Sequence, residues 1–306
     1  MANDVIEPAK VALIGVPSSA GARLVGQEQA PQRLRDAGLL QSLVSCGLDV
    51  TDMGDLTKVS FSPDTSNPKK QNLAKVLDVL NEVVELVDMA VTNRAWPLVI
   101  GGDCSITIGV LAALIKHYPD LGLSYLDGDV DLNTPETTHT GIFDGMVMAH
   151  IVGRGADELS KFGTRCPLLD EQQIALFGYS VEAGGVDPAE IDMLKEAQMA
   201  KYPLEEVVDD VAAAAHSALR ELERKAEHIL VHFDVDVVDY DDFPAVDVPH
   251  RPGLTLAQAR EALGIFAGSP KAVGLVVTEF NADHDADGTL ARTLVGTIEG
   301  AMAKRV

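Results

Sequence analysis

Cysteine is scarce in this sequence: Cys46, Cys104 and Cys166 are the only three in 306 residues, widely spaced and odd in number. That argues against a disulfide framework and for a reducing compartment, with the cytoplasm as the expected location. Basic residues are scarce too, 24 Lys and Arg against 47 Asp and Glu, for a formal net charge of −23. Nucleic acid and anionic membranes recruit basic patches, so neither is expected as a partner. A cationic ligand is compatible with the excess acid. No apolar run approaches the roughly 20 residues that span a bilayer. The opening MANDVIEPAK lacks the basic-then-apolar profile of a secretory signal. The chain has no internal repeat and no low-complexity tract.

What is present is alternation. Short apolar, β-branched runs predict strands near residues 11–16, 48–52, 97–100, 122–126, 173–177, 229–233 and 273–280, with a shorter one near 199–203. Helical patterns fall between them, near 31–42, 71–93, 106–116, 188–198, 207–225, 256–267 and 289–304. Several strand runs, VALIGV and HILVHF among them, are apolar on both faces, as in a parallel sheet covered on both sides. The expectation is one α/β domain over 1–306, doubly wound, with a mainly parallel sheet of about eight strands and helices on both faces. The Ser/Pro/Asn-rich stretch 60–70 reads as a surface loop and not a domain linker.

Four polar clusters end apolar strands: GGDCS at 101–105, DGDVD at 127–131, DVDVVD at 234–239 and TEFN at 278–281. In such sheets the active site lies beyond the carboxyl ends of the strands. Residues two apart on an extended chain share a face, so Asp127, Asp129 and Asp131 are expected to converge, as are Asp234 and Asp236. Five carboxylates in one cleft would repel and raise one another's pKa values, which a cation would relieve. A lone strand-end aspartate is more often a cap or turn residue; the set of five is not explained that way. No histidine stands among Asp127, Asp129 and Asp131.

These clusters, in this order, resemble the arginase–agmatinase (ureohydrolase) family. GQEQAPQRLRDAGL is similar to that family's Gly…Pro…Leu-Arg…Gly-Leu opening segment, and GGDCS to Gly-Gly-Asp-His-Ser. DGDVDLNTPETTHTGIFDGM resembles Asp-Ala-His-x-Asp-x-Asn-Thr-Pro continuing to Gly-Asn-x-His-Gly. HFDVDVVD, RPGLT and TEFN resemble Ser-x-Asp-x-Asp-x-x-Asp, Gly-Gly-Leu-Thr and Glu-x-Asn. Four motifs in register are a far stronger signal than any one alone. The resemblance implies the arginase-like three-layer fold, with two Mn²⁺ ions and a bridging hydroxide acting on a guanidinium carbon to give urea and an amine. It also implies a small guanidino or amidino substrate and a homo-oligomer, trimer or hexamer.

Carried over by position, the metal ligands would be Cys104, Asp127, Asp129, Asp131, Asp234 and Asp236. Glu279 would pair with the substrate's guanidinium, and Asn133, Asp187 and Glu190 would meet the far end of the substrate. Asp127, Asp131, Asp234 and Asp236 match the family pattern. Cys104 and Asp129 stand where it has histidines, Asp144 stands where it has a proton-shuttling histidine, and Ile142 replaces an asparagine. His232, in place of a serine two before Asp234, is a candidate ligand or proton carrier. His139 and His150 are further shuttle candidates, and His284 reads as a loop residue. Five carboxylates and an ionised Cys104 would set −6, or −5 without the thiolate, against +4 from two divalent ions. The family's four carboxylates balance them. Oxygen ligands favour Mn²⁺, Mg²⁺ or Ca²⁺, whereas a thiolate favours softer ions such as Zn²⁺. Two function classes follow: a metal-dependent amidinohydrolase, or a metal-poor, catalytically silent relative acting as a binding or partner subunit.

Overall fold

The computed structural model describes residues 10–181 and 186–306. The opening MANDVIEPAK, read above for a secretory signal, lies outside them except for Lys10. Eight strands form one sheet: β1 (Lys10–Gly15), β2 (Asp49–Asp55), β3 (Trp96–Ile100), β4 (Leu121–Leu126), β5 (Ile174–Phe177), β6 (Ala200–Tyr202), β7 (His228–Asp234) and β8 (Ala272–Thr278). Their order is β2-β1-β3-β8-β7-β4-β5-β6. Every strand pairing is parallel.

Strand alternation divides the core in two. Along β1, Val11 and Leu13 join one apolar cluster while Ala12 and Ile14 join the other; along β7, Ile229, Val231 and Phe233 oppose Leu230. The first cluster takes apolar stripes from the helices Ala30–Asp36, Leu39–Ser45, Val211–Glu223, Leu256–Ala267 and Thr289–Met302. The second takes them from Leu73–Thr92, Ile106–Leu114 and Val147–Ile151. A sheet buried on both faces needs continuous apolar strands, which is why β4 is buried along all six residues.

Two expected helices are divided. The span 31–42 forms two helices because Gly38 sits between them at φ 95, a left-handed conformation that ends the first turn series. The span 207–225 forms the short Leu204–Val207 and then Val211–Glu223. Asp210 caps the second helix, its side chain accepting the N–H of Ala213 at 3.0 Å. Among the described residues no helix is long and apolar enough to cross a membrane.

The fold places β3, β8, β7 and β4 side by side at the centre of the sheet. The segments leaving their carboxyl ends are the four polar clusters, far apart in sequence and adjacent in space.

Candidate metal centre

The acidic residues converge, though not by extended-strand geometry. β4 stops at Leu126 and β7 at Asp234, so residues 127–131 are loop and Val235–Val237 is a turn of 3₁₀ helix. Local hydrogen bonds fold these loops. The Asp129 N–H donates to Asp127 Oδ1 at 2.6 Å, the Asp236 N–H to Asp234 Oδ1 at 2.8 Å, and the Gly128 N–H to Asp236 Oδ1 at 3.2 Å. Asp131 and Glu279 hold left-handed φ values of 50 and 67, rare for residues with a Cβ. Strained backbone of this kind clusters where side-chain aim matters.

Cys104 lies between these loops. Its Sγ donates to Asp234 Oδ2 at 2.8 Å and lies 3.1 Å from Thr278 Oγ1 and 3.5 Å from His232 Nε2. Its N–H is shared by Asp144 Oδ1 at 2.8 Å and Glu279 Oε1 at 3.2 Å. Potential ligand atoms of Cys104, Asp127, His232 and Asp234 all lie within 4.8 Å of one another; those of Asp129, Asp236 and His250 form a second such group. Asp131 is steered by the Tyr125 hydroxyl, which donates to its Oδ2.

Repulsion here is severe. Burial first, then Asp236 and Asp129, push Asp127 well above the ordinary carboxylate range. Burial and the neighbouring acids do the same to Asp131, Asp144, Asp234 and Glu279. Burial, then Asp234, also raises the Cys104 thiol well above its usual value. Burial lowers His232 to about 3, so it is a neutral ring. The buried oxygens Asp127 Oδ2 and Asp129 Oδ1 have no hydrogen-bond partner. Buried polar atoms are nearly always partnered, so this set of carboxylate oxygens fits a divalent cation.

A cavity of about 430 Å³ opens over the centre, lined by Cys104, Asp127, Asp129, Asp131, Asp234 and Asp236 among others. Asp144, Asn133, Asp187 and Ile142 also line it. Asn133 Nδ2 lies 3.3 Å from Asp187 Oδ2. Glu190 borders the cavity, but its carboxylate is engaged: Oε1 accepts the N–H groups of Leu132 and Asn133, and Oε2 that of Asp187. It ties the aspartate loop to the helix Pro188–Glu196. Burial raises it to about 7. Glu190→Gln puts an amide donor against one of these N–H groups. It is expected to cost about 1–3 kcal/mol of stability, measured by denaturant unfolding.

Three expectations change. His232 is fully buried behind Cys104, stacked on Tyr125 and bonded through Nδ1 to Thr107 Oγ1 at 2.8 Å, and it does not line the cavity. A proton-carrying contact with substrate is therefore closed to it. His150 is occupied by backbone, its Nδ1 2.7 Å from the Met146 carbonyl and its Nε2 accepting the Ala156 N–H. It is a structural histidine and not a shuttle. Glu279 is screened from the cavity by Gln27, whose Nε2 donates to Glu279 and, at 3.1 Å, to Asp247 Oδ2. His139 does line the cavity and has a 79% exposed side chain.

Sequence reasoning missed Gln27, Asp247 and His250. None belongs to a strand-end cluster with a period, so spacing carried no signal for them. His250 is 2% exposed, with Nε2 3.5 Å from Asp129 Oδ2 and 3.6 Å from Asp236 Oδ2. Burial would lower its pKa, but Asp236 and Asp129 override that and push it up to about 11.

A parallel three-layer α/β sheet with carboxylates massed at the ends of its central strands defines an arginase-like protein with a cation-compatible cleft. The model of the Arginase family matches residues 9–302. The chain belongs to the arginase family. It is 27% identical to the arginase of Bacillus caldovelox, over 95% of this chain and 98% of that one. It is 29% identical to an arginase of Staphylococcus aureus (strain MRSA252), over 94% and 96%. The native Bacillus caldovelox arginase structure superposes with a TM-score of 0.89 at 27% identity, covering 96% of this chain and 98% of that one.

Proposed function

We propose that this chain is a metal-dependent hydrolase of a guanidino or amidino C–N bond, releasing urea or a related amide and an amine. The observation carrying this is the convergence of Asp127, Asp131, Asp234 and Asp236 from two non-adjacent chain segments onto one cavity, with buried carboxylate oxygens lacking partners. Members of the arginase family are metal-dependent hydrolases that use a binuclear divalent centre, typically Mn²⁺. Cys104, Asp127, Asp129, Asp131, Asp234 and Asp236 are the proposed ligands, with up to two Mn²⁺ ions. When bound, such ions lower the pKa of water and polarise the scissile carbon's substituents.

The chain's own residues would do the rest. Glu279 pairs with the cationic head of the substrate once Gln27 swings away. Asp144, which shares the Cys104 N–H with Glu279, holds a proton because burial first, and then the charge of Asp103, penalise its ionised form. It can deliver that proton to the departing amine, the task of a general acid. Asn133 and Asp187 meet the substrate's far end, and Ile142 beside them favours a substrate other than plain arginine. The single sheet supports reading the chain as one domain, the family resemblance supports a trimer or hexamer, and the few, widely spaced cysteines support the cytoplasm.

A second reading, the metal-poor and silent subunit, is favoured by the Cys104 thiol. That thiol is buried, neutral and already satisfied by Asp234 and Thr278. Metal analysis after manganese loading, with urea release from arginine, agmatine and guanidinobutyrate, separates the two. We expect bound manganese and urea from at least one substrate, with Glu279→Gln reducing the rate about 100-fold or more, as for loss of a transition-state contact. A loaded protein that releases neither urea from any guanidino compound nor an amide from any amidino compound sinks the hydrolase reading.

A further inference from the structure

We infer that His250 donates a ring nitrogen, alongside Asp129 and Asp236, to a divalent ion, replacing the imidazole that position 129 has lost. The inference rests on the metal-dependent reading above. It comes from three coupled features and not from charge alone.

The first is geometry. His250 Nε2, Asp129 and Asp236 offer atoms within 4.8 Å of one another, and Nε2 stands 3.5 and 3.6 Å from the two nearest carboxylate oxygens. Ligand atoms at adjacent corners of an octahedron with bonds of about 2.1 Å are roughly 3 Å apart. Closing by about half an ångström would bring Nε2 to that spacing from each carboxylate oxygen.

The second is an unmet need. The ring is 98% buried, yet neither Nδ1 nor Nε2 makes a hydrogen bond, and the other oxygen of Asp129, Oδ1, has none either. Histidines buried for packing usually bond both nitrogens, as His150 does in this chain.

The third is room. Residue 128 is glycine where the resembling motif has alanine. A Cβ on Gly128 would stand 2.3 Å from His250 Cδ2 and 2.5 Å from Nε2. Gly128 is not among the glycines with positive φ, so a left-handed backbone is not what demands glycine there. The missing methyl is what admits the imidazole. Gly128, Asp129 and His250 thus form one substitution set: the ring moves from the 129 position to the loop after β7, and a methyl is removed to let it in.

The test uses the full-length protein and Mn²⁺ alone. Pulsed electron paramagnetic resonance of the manganese-loaded parent is expected to show ¹⁴N coupling that disappears in His250→Gln and survives in His232→Gln. In calorimetric titration, His250→Gln and Gly128→Ala are each expected to weaken manganese binding at least tenfold, with circular dichroism confirming that both fold. A parent that binds manganese without ¹⁴N coupling overturns the inference and leaves the hydrolase reading standing; the ring would then be only a counter-ion to the two aspartates. Unchanged affinity in Gly128→Ala overturns it as well. A parent that takes up no manganese overturns both readings.

Discussion

The metal-free protein is expected to lose thermal stability as pH rises from about 5 to 8, by on the order of 5–10 °C, and Mn²⁺ to remove most of that slope. The sign follows from the direction of the shifts. Asp127, Asp131, Asp144, Asp234 and Glu279 are held well above their ordinary values of 3.8 and 4.5 by burial and mutual repulsion. Below those values both folded and unfolded chains are protonated at these groups, and the groups contribute nothing. Above them the unfolded chain releases protons that the folded chain retains. The folded state then binds more protons, so its stability falls with rising pH. Each unit of raised pKa costs about 1.4 kcal/mol once the pH exceeds it. His250, with its pKa pushed up to about 11 from 6.5, acts in the same sense above pH 6.5, where its stabilising charge begins to be lost. Most proteins do the reverse over the acidic part of this range, because their paired carboxylates favour the ionised form. A divalent ion supplies the missing counter-charge and makes ionisation favourable. Melting curves at pH 5, 6, 7 and 8, with chelator and with Mn²⁺, check this. A melting temperature that stays level or rises to pH 8 in chelator would show that the cleft tolerates its charge unaided.

Restoring histidine at position 104 alone is expected to damage the protein, and doing so with His232→Ser to repair it. The simple expectation from motif matching is that Cys104→His returns a neutral ligand to the centre. Packing around the thiol gives a reason to expect failure of the single change. Cys104 is 1% exposed, and the His232 ring lies 3.5 Å from its Sγ. An imidazole needs the volume that this ring already fills. Overpacking a buried site costs about 1–3 kcal/mol, so Cys104→His should unfold at visibly lower denaturant than the parent. His232→Ser, the residue the resembling motif carries, vacates that volume. The double variant should regain most of the lost stability and bind Mn²⁺ more tightly than the parent, since it exchanges a soft thiol for a borderline nitrogen. Paired unfolding and metal titrations on the two single variants and the double variant give the coupling energy directly. Additive effects would mean that residues 104 and 232 do not compete for space.

Much of this was legible in the chain itself. Apolar runs such as VALIGV and HILVHF, separated by helical periods, specified a parallel α/β sheet because burial on both faces demands continuous apolar strands. The acidic clusters announced themselves because each follows such a run, and strand ends are where α/β sheets place ligands. Strand order was not legible. β8 lies between β3 and β7, and only that placement brings TEFN against GGDCS. Nor could spacing reveal the backbone at 127–131, where loop hydrogen bonds and a left-handed Asp131 aim the carboxylates, and extended alternation plays no part. The histidines divide on the same ground. His232 sits on a strand, so its period correctly suggested nearness to Asp234, while its burial behind Cys104 came from packing against Tyr125. His250 lies in a loop after β7 with no period to read, and its partners are fixed by long-range contact with Gly128 and Asp129. Local pattern is set by burial and backbone period, which the order of residues encodes. Which distant loops share a cleft depends on strand order and side-chain volume, and those exist only once the sheet is assembled.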